Sequence, residues 1–175
     1  MSMKAWLMGA VAALLVAGAA HAARFEARPA TPAPELKAQD LTGTMRTLAD
    51  YRGKVVLLNF WASWCPPCLH EMPSMERLRV NMAGRPLAIV ALDSGETRAE
   101  VEAFLAKMRL GFPILLDPDG SNTKRWKVFA LPTSFLLDAS GRIRYVLTGS
   151  IEWDEGEALA RIEELLAELP ASSVR

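Results

Sequence analysis

Lys54-Val55-Val56-Leu57-Leu58-Asn59-Phe60-Trp61-Ala62-Ser63-Trp64-Cys65-Pro66-Pro67-Cys68-Leu69-His70-Glu71 is the stretch whose reading decides the fold. Lys54 to Trp61 is an apolar run with β-branched and aromatic side chains and no alternation. Such a run suits a central strand buried on both faces. The run breaks at Cys65-Pro66-Pro67-Cys68. Proline suits a first helical position, where no N–H is needed, and Pro67 can follow within the same turn. The helix is predicted to run on from Glu71 to about Met82, bent at Pro73.

Cys65 and Cys68 are the only two cysteines among 175 residues. Thiols two residues apart can close a small ring and so store and release two electrons, with no bound cofactor. A cysteine at a helix N-terminus also has its thiolate stabilised by unpaired N–H groups and the helix dipole. Redox chemistry is therefore the first reading. Cys65, nearest the helix start, is expected to be the exposed, attacking thiol. Cys68, one turn further in, would resolve the mixed disulfide that Cys65 forms with a partner. A purely stabilising bridge competes with this reading, but so small a ring contributes only about 2 kcal/mol. Zinc wants four ligands, and His70 lies on another side of the helix from Cys68, so no metal site is expected. Pro66 and Pro67 stiffen the ring and donate no hydrogen bonds, and no histidine lies between the sulfurs. A reducing couple is the expectation.

Glu71 stands three residues after Cys68 and shares its side of the helix. Beneath an apolar sheet its carboxyl is expected to accept and return protons. A first-turn glutamate favoured only by the helix dipole would look the same in sequence. Leu131-Pro132-Thr133 opens a later strand. A cis proline there would turn the backbone towards Cys65 and expose groups able to pair with a substrate strand. A trans proline merely starting an edge strand fits equally well. Trp64, Pro66, Pro67, Leu131 and Thr133 are the expected substrate contacts. Phe60 and Trp61 read as core, and Trp126 and Trp153 carry no special signal.

Outward from this centre, the first 22 residues look like an export address. Lys4 precedes an uncharged apolar run from about Ala5 to Ala20, and Ala20-His21-Ala22 has the small-x-small cleavage pattern. The run is short for a spanning helix, which needs about 20 apolar residues. Retention as an N-terminal anchor remains the alternative to cleavage. Residues 23–34, with Pro29, Pro32 and Pro34, read as an extended linker. Residues 35–170 are expected to form one domain, followed by a tail at 171–175. The formal charge is zero, with 20 basic and 20 acidic residues, which gives no reason to expect nucleic acid or an anionic membrane surface as partner.

Within the domain, Leu36 to Leu48 suggests a small hairpin turning at Asp40 to Thr44. Pro86 to Leu92 and Pro113 to Leu116 are further strands. Between them a helix over Thr97 to Met108 is predicted, with Thr97 and Glu100 as a capping box and Gly111 after its end. A short helix should cover Asn122 to Trp126. Thr133 to Leu137 and Ile143 to Leu147 should pair across Asp138-Ala139-Ser140-Gly141. Leu159, Ile162, Leu165, Leu166 and Leu169 mark an amphipathic C-terminal helix. This order predicts an α/β fold, a mixed central sheet with helices on both faces.

Asn59 to Cys68 with Glu71 and Pro73, and Leu131-Pro132-Thr133-Ser134-Phe135-Leu136-Leu137-Asp138 with Gly141, together resemble the two signature segments of TlpA/ResA-like thioredoxin-fold proteins. The resemblance spans about Pro34 to Leu169. It implies a thioredoxin fold with an N-terminal β-hairpin and a central insertion at about Thr97 to Leu116. It implies an exported, often membrane-tethered thiol-disulfide oxidoreductase of the kind that reduces apocytochrome c or serves copper-site assembly or sporulation. By the same resemblance Cys65 is the nucleophile, Cys68 the resolving cysteine, Pro132 the cis-proline and Glu71 the acid that influences both thiols. Thioredoxins carry a buried aspartate where this chain has Asn59, which cannot titrate, so proton transfer would fall to Glu71 or water. The implied partners are a disulfide-bearing client protein and a membrane electron donor of the thiol-reducing type, met in a periplasm or at the outer face of a membrane. A disulfide-introducing oxidant and a non-enzymatic copper-binding or assembly module are the alternatives. A thiol peroxidase is disfavoured, because its usual Thr-x-x-Cys arrangement would need threonine where Ala62 stands.

Overall fold

The computed structural model describes residues 23–170. The expected export segment at 1–22 and the tail at 171–175 lie outside the described residues. Strand β4 (Val55–Trp61) is buried at every position, as its unbroken apolar run requires. Its side chains alternate between two cores. Val55, Leu57 and Trp61 point into one, which α1 (Pro66–Asn81), Val101 of α2 (Arg98–Leu105) and α4 (Gly156–Ala167) cover. Val56, Leu58 and Phe60 point into the other, closed by Leu36, Trp126 and Val128 around the short α3 (Ser121–Arg125).

Around β4 run β1 (Arg24–Pro32), β2 (Lys37–Asp40), β3 (Met45–Thr47), β5 (Leu87–Ser94), β6 (Ile114–Asp117), β7 (Thr133–Leu137) and β8 (Arg142–Thr148). Among the described residues they form one sheet in the order β1-β8-β7-β4-β5-β6-β2-β3. β4, β5 and β6 are parallel, joined by the long crossovers that parallel neighbours need, and the remaining pairs are antiparallel. The expected α/β thioredoxin fold, with its mixed sheet and helices on both faces, is present. Phe60 pairs with Thr133, so the loop leaving β4 and the segment entering β7 meet at one end of the sheet. That shared end brings the cysteine pair and Pro132 to one edge.

The small hairpin forms as β2–β3, joined to β6 rather than standing alone. Thr97 caps α2 as predicted. Its hydroxyl accepts from the Glu100 N–H, and its own N–H donates to the Glu100 carboxylate at 2.8 Å. The helix nevertheless stops at Leu105, short of the expected Met108. Lys107 and Met108 instead donate to carbonyls three residues back, and these tight turns still bring Met108 to the core. At the β7–β8 turn Gly141 has φ 76°, which only glycine adopts freely, while Asp138 accepts from the N–H groups of Ser140 and Arg142.

The linker expected at residues 23–34 is corrected. Arg24–Pro32 forms β1, paired antiparallel with β8, so the domain begins before residue 35. Its prolines suggested a tether, but β1 is an edge strand, where a missing N–H can face solvent, and its register shifts between Ala27 and Thr31, around Pro29. Phe25 anchors the strand by packing edge-on against Tyr145 and Trp153.

Leu57 is fully buried between β4 and the helical layer, whereas Met45 is 45% exposed on β3. Leu57→Ala is expected to lower the unfolding free energy by about 2–5 kcal/mol, and Met45→Ala by under about 0.5 kcal/mol. Urea unfolding with unchanged m-values checks both.

Candidate active site

Cys65 is the N-cap of α1, with extended backbone, and Pro66 and Pro67 fill the first two helical positions. Two of the N–H groups that a helix normally presents at its start are therefore missing. Cys65 and Cys68 are joined, with their Cα atoms 5.3 Å apart. The expectation that Cys65 is exposed is corrected: it is 4% accessible, against 0% for Cys68. The closed ring holds both cysteines in the apolar cluster that contains Met72. Even so, Cys65 is the one of the two that solvent touches. Trp64, immediately before it, is 67% exposed. The His70 side chain is 79% exposed and lies 3.9 Å from the Glu152 carboxylate, out on the surface. Among the described residues no cluster of His, Cys, Asp and Glu has metal-binding geometry.

Behind the ring, Glu71 is fully buried. Asn59 of β4 donates to one carboxyl oxygen at 2.7 Å and the Trp153 indole donates to the other at 3.2 Å, while the backbone of Ile151 also favours the ionised form. Burial pushes the Glu71 carboxyl up to about 7, although these three groups pull the other way. Asn59 also donates to Ser134 of β7 at 2.9 Å, so a polar chain crosses the sheet from α1 to the strand that follows Pro132. The Asn59 Oδ1 is buried with no hydrogen-bond partner among the described residues.

The Leu131–Pro132 peptide is cis, which decides between the two readings of that proline. The Pro132 carbonyl accepts from Gly149 at 2.9 Å, and the Thr133 hydroxyl donates to the Ala130 carbonyl at 2.8 Å. Leu131 packs against both cores. Phe129, three residues before Pro132, is 93% exposed. The structure thus brings Cys65, Cys68, Glu71 and the Pro132 segment to one end of the sheet.

A second acidic group supports the loop on its other side. Glu96 accepts from the Ser63 N–H at 2.6 Å and from the Ser63 hydroxyl at 2.5 Å, clamping the residue two before Cys65. Asp93, fully buried at the end of β5, accepts from the Glu96 N–H at 3.1 Å. Burial, reinforced by the neighbouring Glu96 carboxylate, pushes Asp93 up to about 8. Burial alone would raise Glu96 as well, but the neighbouring Asp93 and the two bonds from Ser63 outweigh it and hold Glu96 below the usual carboxylate range. Sequence reasoning missed Trp153, Asp93 and Glu96. Asp93 did carry a signal, as an acid continuing the apolar run of β5. Trp153 carried none, because its bond to Glu71 spans 82 residues.

The AhpC/TSA family model matches residues 29–146. The chain is 38% identical over 125 residues to the thiol-disulfide oxidoreductase ResA of Geobacillus kaustophilus, covering 71% of this chain and 72% of that one. It is 40% identical over 128 residues to the thioredoxin-like protein YneN of Bacillus subtilis, covering 71% and 74%. A crystal structure of a thiol:disulfide interchange protein of the thioredoxin family from Chlorobium tepidum superposes with a TM-score of 0.66 at 28% identity, covering 81% of this chain and 99% of that one.

Folded Glu71 holds its proton to about pH 7, whereas the unfolded chain releases it near the ordinary value of 4.5. Between those values the folded state binds more protons, so stability falls as pH rises through this window. The Glu71 share is about 3 kcal/mol, and Asp93 adds a fall of the same sign between 3.8 and about 8. Glu71→Gln is expected to flatten the Glu71 share of the loss between pH 5 and pH 8, measured by urea unfolding of the oxidised protein. A variant that keeps the full slope would show that this carboxyl ionises as it does in water.

Proposed function

The chain belongs to the AhpC/TSA family and is a thiol-disulfide oxidoreductase of the thioredoxin superfamily, similar to ResA, and from that premise we propose that it works as an exported protein-disulfide reductase. The observation that carries the reading is the Cys65–Cys68 couple at the mouth of α1, beside the Pro132 strand opening and in front of buried Glu71. In the reduced protein the Cys65 thiolate attacks a client disulfide and forms a mixed disulfide, expelling one client thiolate. Cys68 gives its proton to the Glu71 carboxylate, and its thiolate attacks the Cys65 sulfur. The second client thiolate leaves, the client has gained two electrons, and the Cys65–Cys68 bond has formed. The client docks against Trp64, Pro66, Pro67, Leu131 and Thr133, with Pro132 orienting its backbone.

The helix start supports a reducing direction of electron flow. Pro66 and Pro67 supply no N–H to a Cys65 thiolate, so the dithiol gains little of the anion stabilisation that makes a couple strongly oxidising. Lys4, the apolar run to Ala20 and the Ala20-His21-Ala22 pattern support export to a periplasm or an outer membrane face, with a cleaved signal or a retained tether. There no cytosolic reductant reaches the protein, so a membrane thiol donor re-reduces the pair. Clients of the kind implied by the resemblance are proteins whose haem- or copper-binding cysteines must be free, as in cytochrome c maturation. Ala62, three residues before Cys65, leaves the site without the threonine of a peroxidase arrangement.

Cys68→Ala is expected to trap client proteins as mixed disulfides on Cys65 in cells, visible as adducts on non-reducing gels. Absence of adducts would remove protein clients from the account. The purified couple is expected to have a reduction potential near the about −270 mV of reducing thioredoxins. A value near about −120 mV would instead identify a disulfide-introducing oxidant.

A further inference from the structure

We propose that Trp153 is a positioning residue for the redox reaction, its indole N–H holding the Glu71 carboxylate ready to take the proton of Cys68. The inference rests on the reading of Glu71 as the group that handles that proton.

Trp153 lies in the loop between β8 and α4 and is fully buried. Three contacts fix it over Glu71. Its indole N–H donates to Glu71 Oε2 at 3.2 Å. Its backbone N–H donates to the Ser74 hydroxyl at 2.9 Å, and that hydroxyl donates to the Glu71 carbonyl at 2.6 Å. Its ring packs edge-on against Phe25 of β1, with centroids 5.9 Å apart. The loop is clamped outside by ion pairs from Arg77 to Glu152 and Asp154, and begins where Gly149 donates to the Pro132 carbonyl.

Packing alone does not call for this bond. Trp61 is equally buried and its indole N–H has no partner among the described residues, so the fold accommodates an unpaired indole. At Trp153 the N–H is instead aimed at the one acid behind the cysteines. A buried carboxylate is tolerated only in proportion to the donors it receives, and an indole N–H can donate but never accept. Trp153 therefore favours the ionised acid, the form able to remove a proton from Cys68.

The groups facing Glu71 leave few rivals for this effect. β4 presents the neutral amide of Asn59, and β7 reaches it only through Ser134. α4 contributes apolar Ala158 and Ile162 to the same core, and α1 itself the two cysteines. In the loop, the Ile151 backbone also favours the Glu71 anion, and Glu152 is the charge that opposes its ionisation.

The test follows the oxidation of the pre-reduced full chain by glutathione disulfide across pH 5–9, with acid quench and mass analysis. Glu71→Gln is expected to abolish the acid limb that belongs to Glu71. Trp153→Phe keeps an aromatic ring, though a smaller one, and removes the donor; it is expected to move that limb up by about 1 pH unit, lowering the rate at pH 6 by up to about tenfold. Phe25→Leu loosens the packing of Trp153 but leaves its N–H, and its limb should stay at the wild-type pH. A limb unmoved by Trp153→Phe but lost in Glu71→Gln overturns the proposal while the role of Glu71 stands. A limb that survives Glu71→Gln overturns the role of Glu71, and the proposal with it. A second measurement needs no folded Trp153 variant. In the wild-type protein the Trp153 indole N–H resonance should titrate near pH 7 while that of Trp61 does not, and the titration should vanish in Glu71→Gln. A Trp153 resonance that is flat from pH 5 to 9 overturns the proposal.

Discussion

Burying one carboxyl group behind a cysteine pair is the constraint from which the rest of this structure can be argued. A carboxylate moved from water into an apolar core is costly, and the usual responses are protonation or a set of donors. Glu71 receives donors from β4 and from Trp153 of the β8–α4 loop, yet burial still wins and holds the group near neutrality. The donors come from two distant pieces of chain, β4 and the β8–α4 loop. The cost of Glu71 is thus spread over the sheet centre, the active-site helix and the C-terminal loop, which are tied together by meeting at one side chain.

Much of this was legible where the signal is local. β4 announced itself by an apolar run without alternation, α2 by Thr97 and Glu100, and the β7–β8 turn by Asp138 and Gly141. The Cys65–Cys68 spacing and the position of Glu71 one turn on were also readable, because helical periodicity alone puts them on one side. What escaped was non-local. β1 was hidden by its prolines, because strand pairing with β8 is decided across more than 100 residues and local proline content speaks only of the unpaired edge. Cys65 was expected to be open to solvent because a helix N-terminus usually is. The closed ring folds its sulfur inward instead.

The two prolines inside the ring shape the chemistry by subtraction. A helix start ordinarily offers four N–H groups without partners, and these are what lower the energy of an anion placed there. Pro66 and Pro67 remove two, and the cap residue Cys65 has no side-chain hydrogen bond of its own. The dipole remains, and so does the N–H of Cys68 at the third helical position, but the N–H of the second position is gone. The proposed reductase role accords with that subtraction, since a less stabilised thiolate favours the disulfide over the dithiol.

The acids on the two sides of the loop divide the remaining work. Glu96 is ionised and clamps Ser63 by both its N–H and its hydroxyl, so the chain enters Cys65 from a fixed point. Asp93 beneath it keeps its proton near neutrality, which spares the fold two adjacent buried anions at the end of β5. Glu71, on the helix side, has nothing to clamp at the surface and is poised to change charge. One acid of the Asp93–Glu96 pair serves position because its partner stays neutral. In the proposed reaction Glu71 serves proton movement, because Asn59 and Trp153 favour its anion while burial favours its acid and holds the group at about 7.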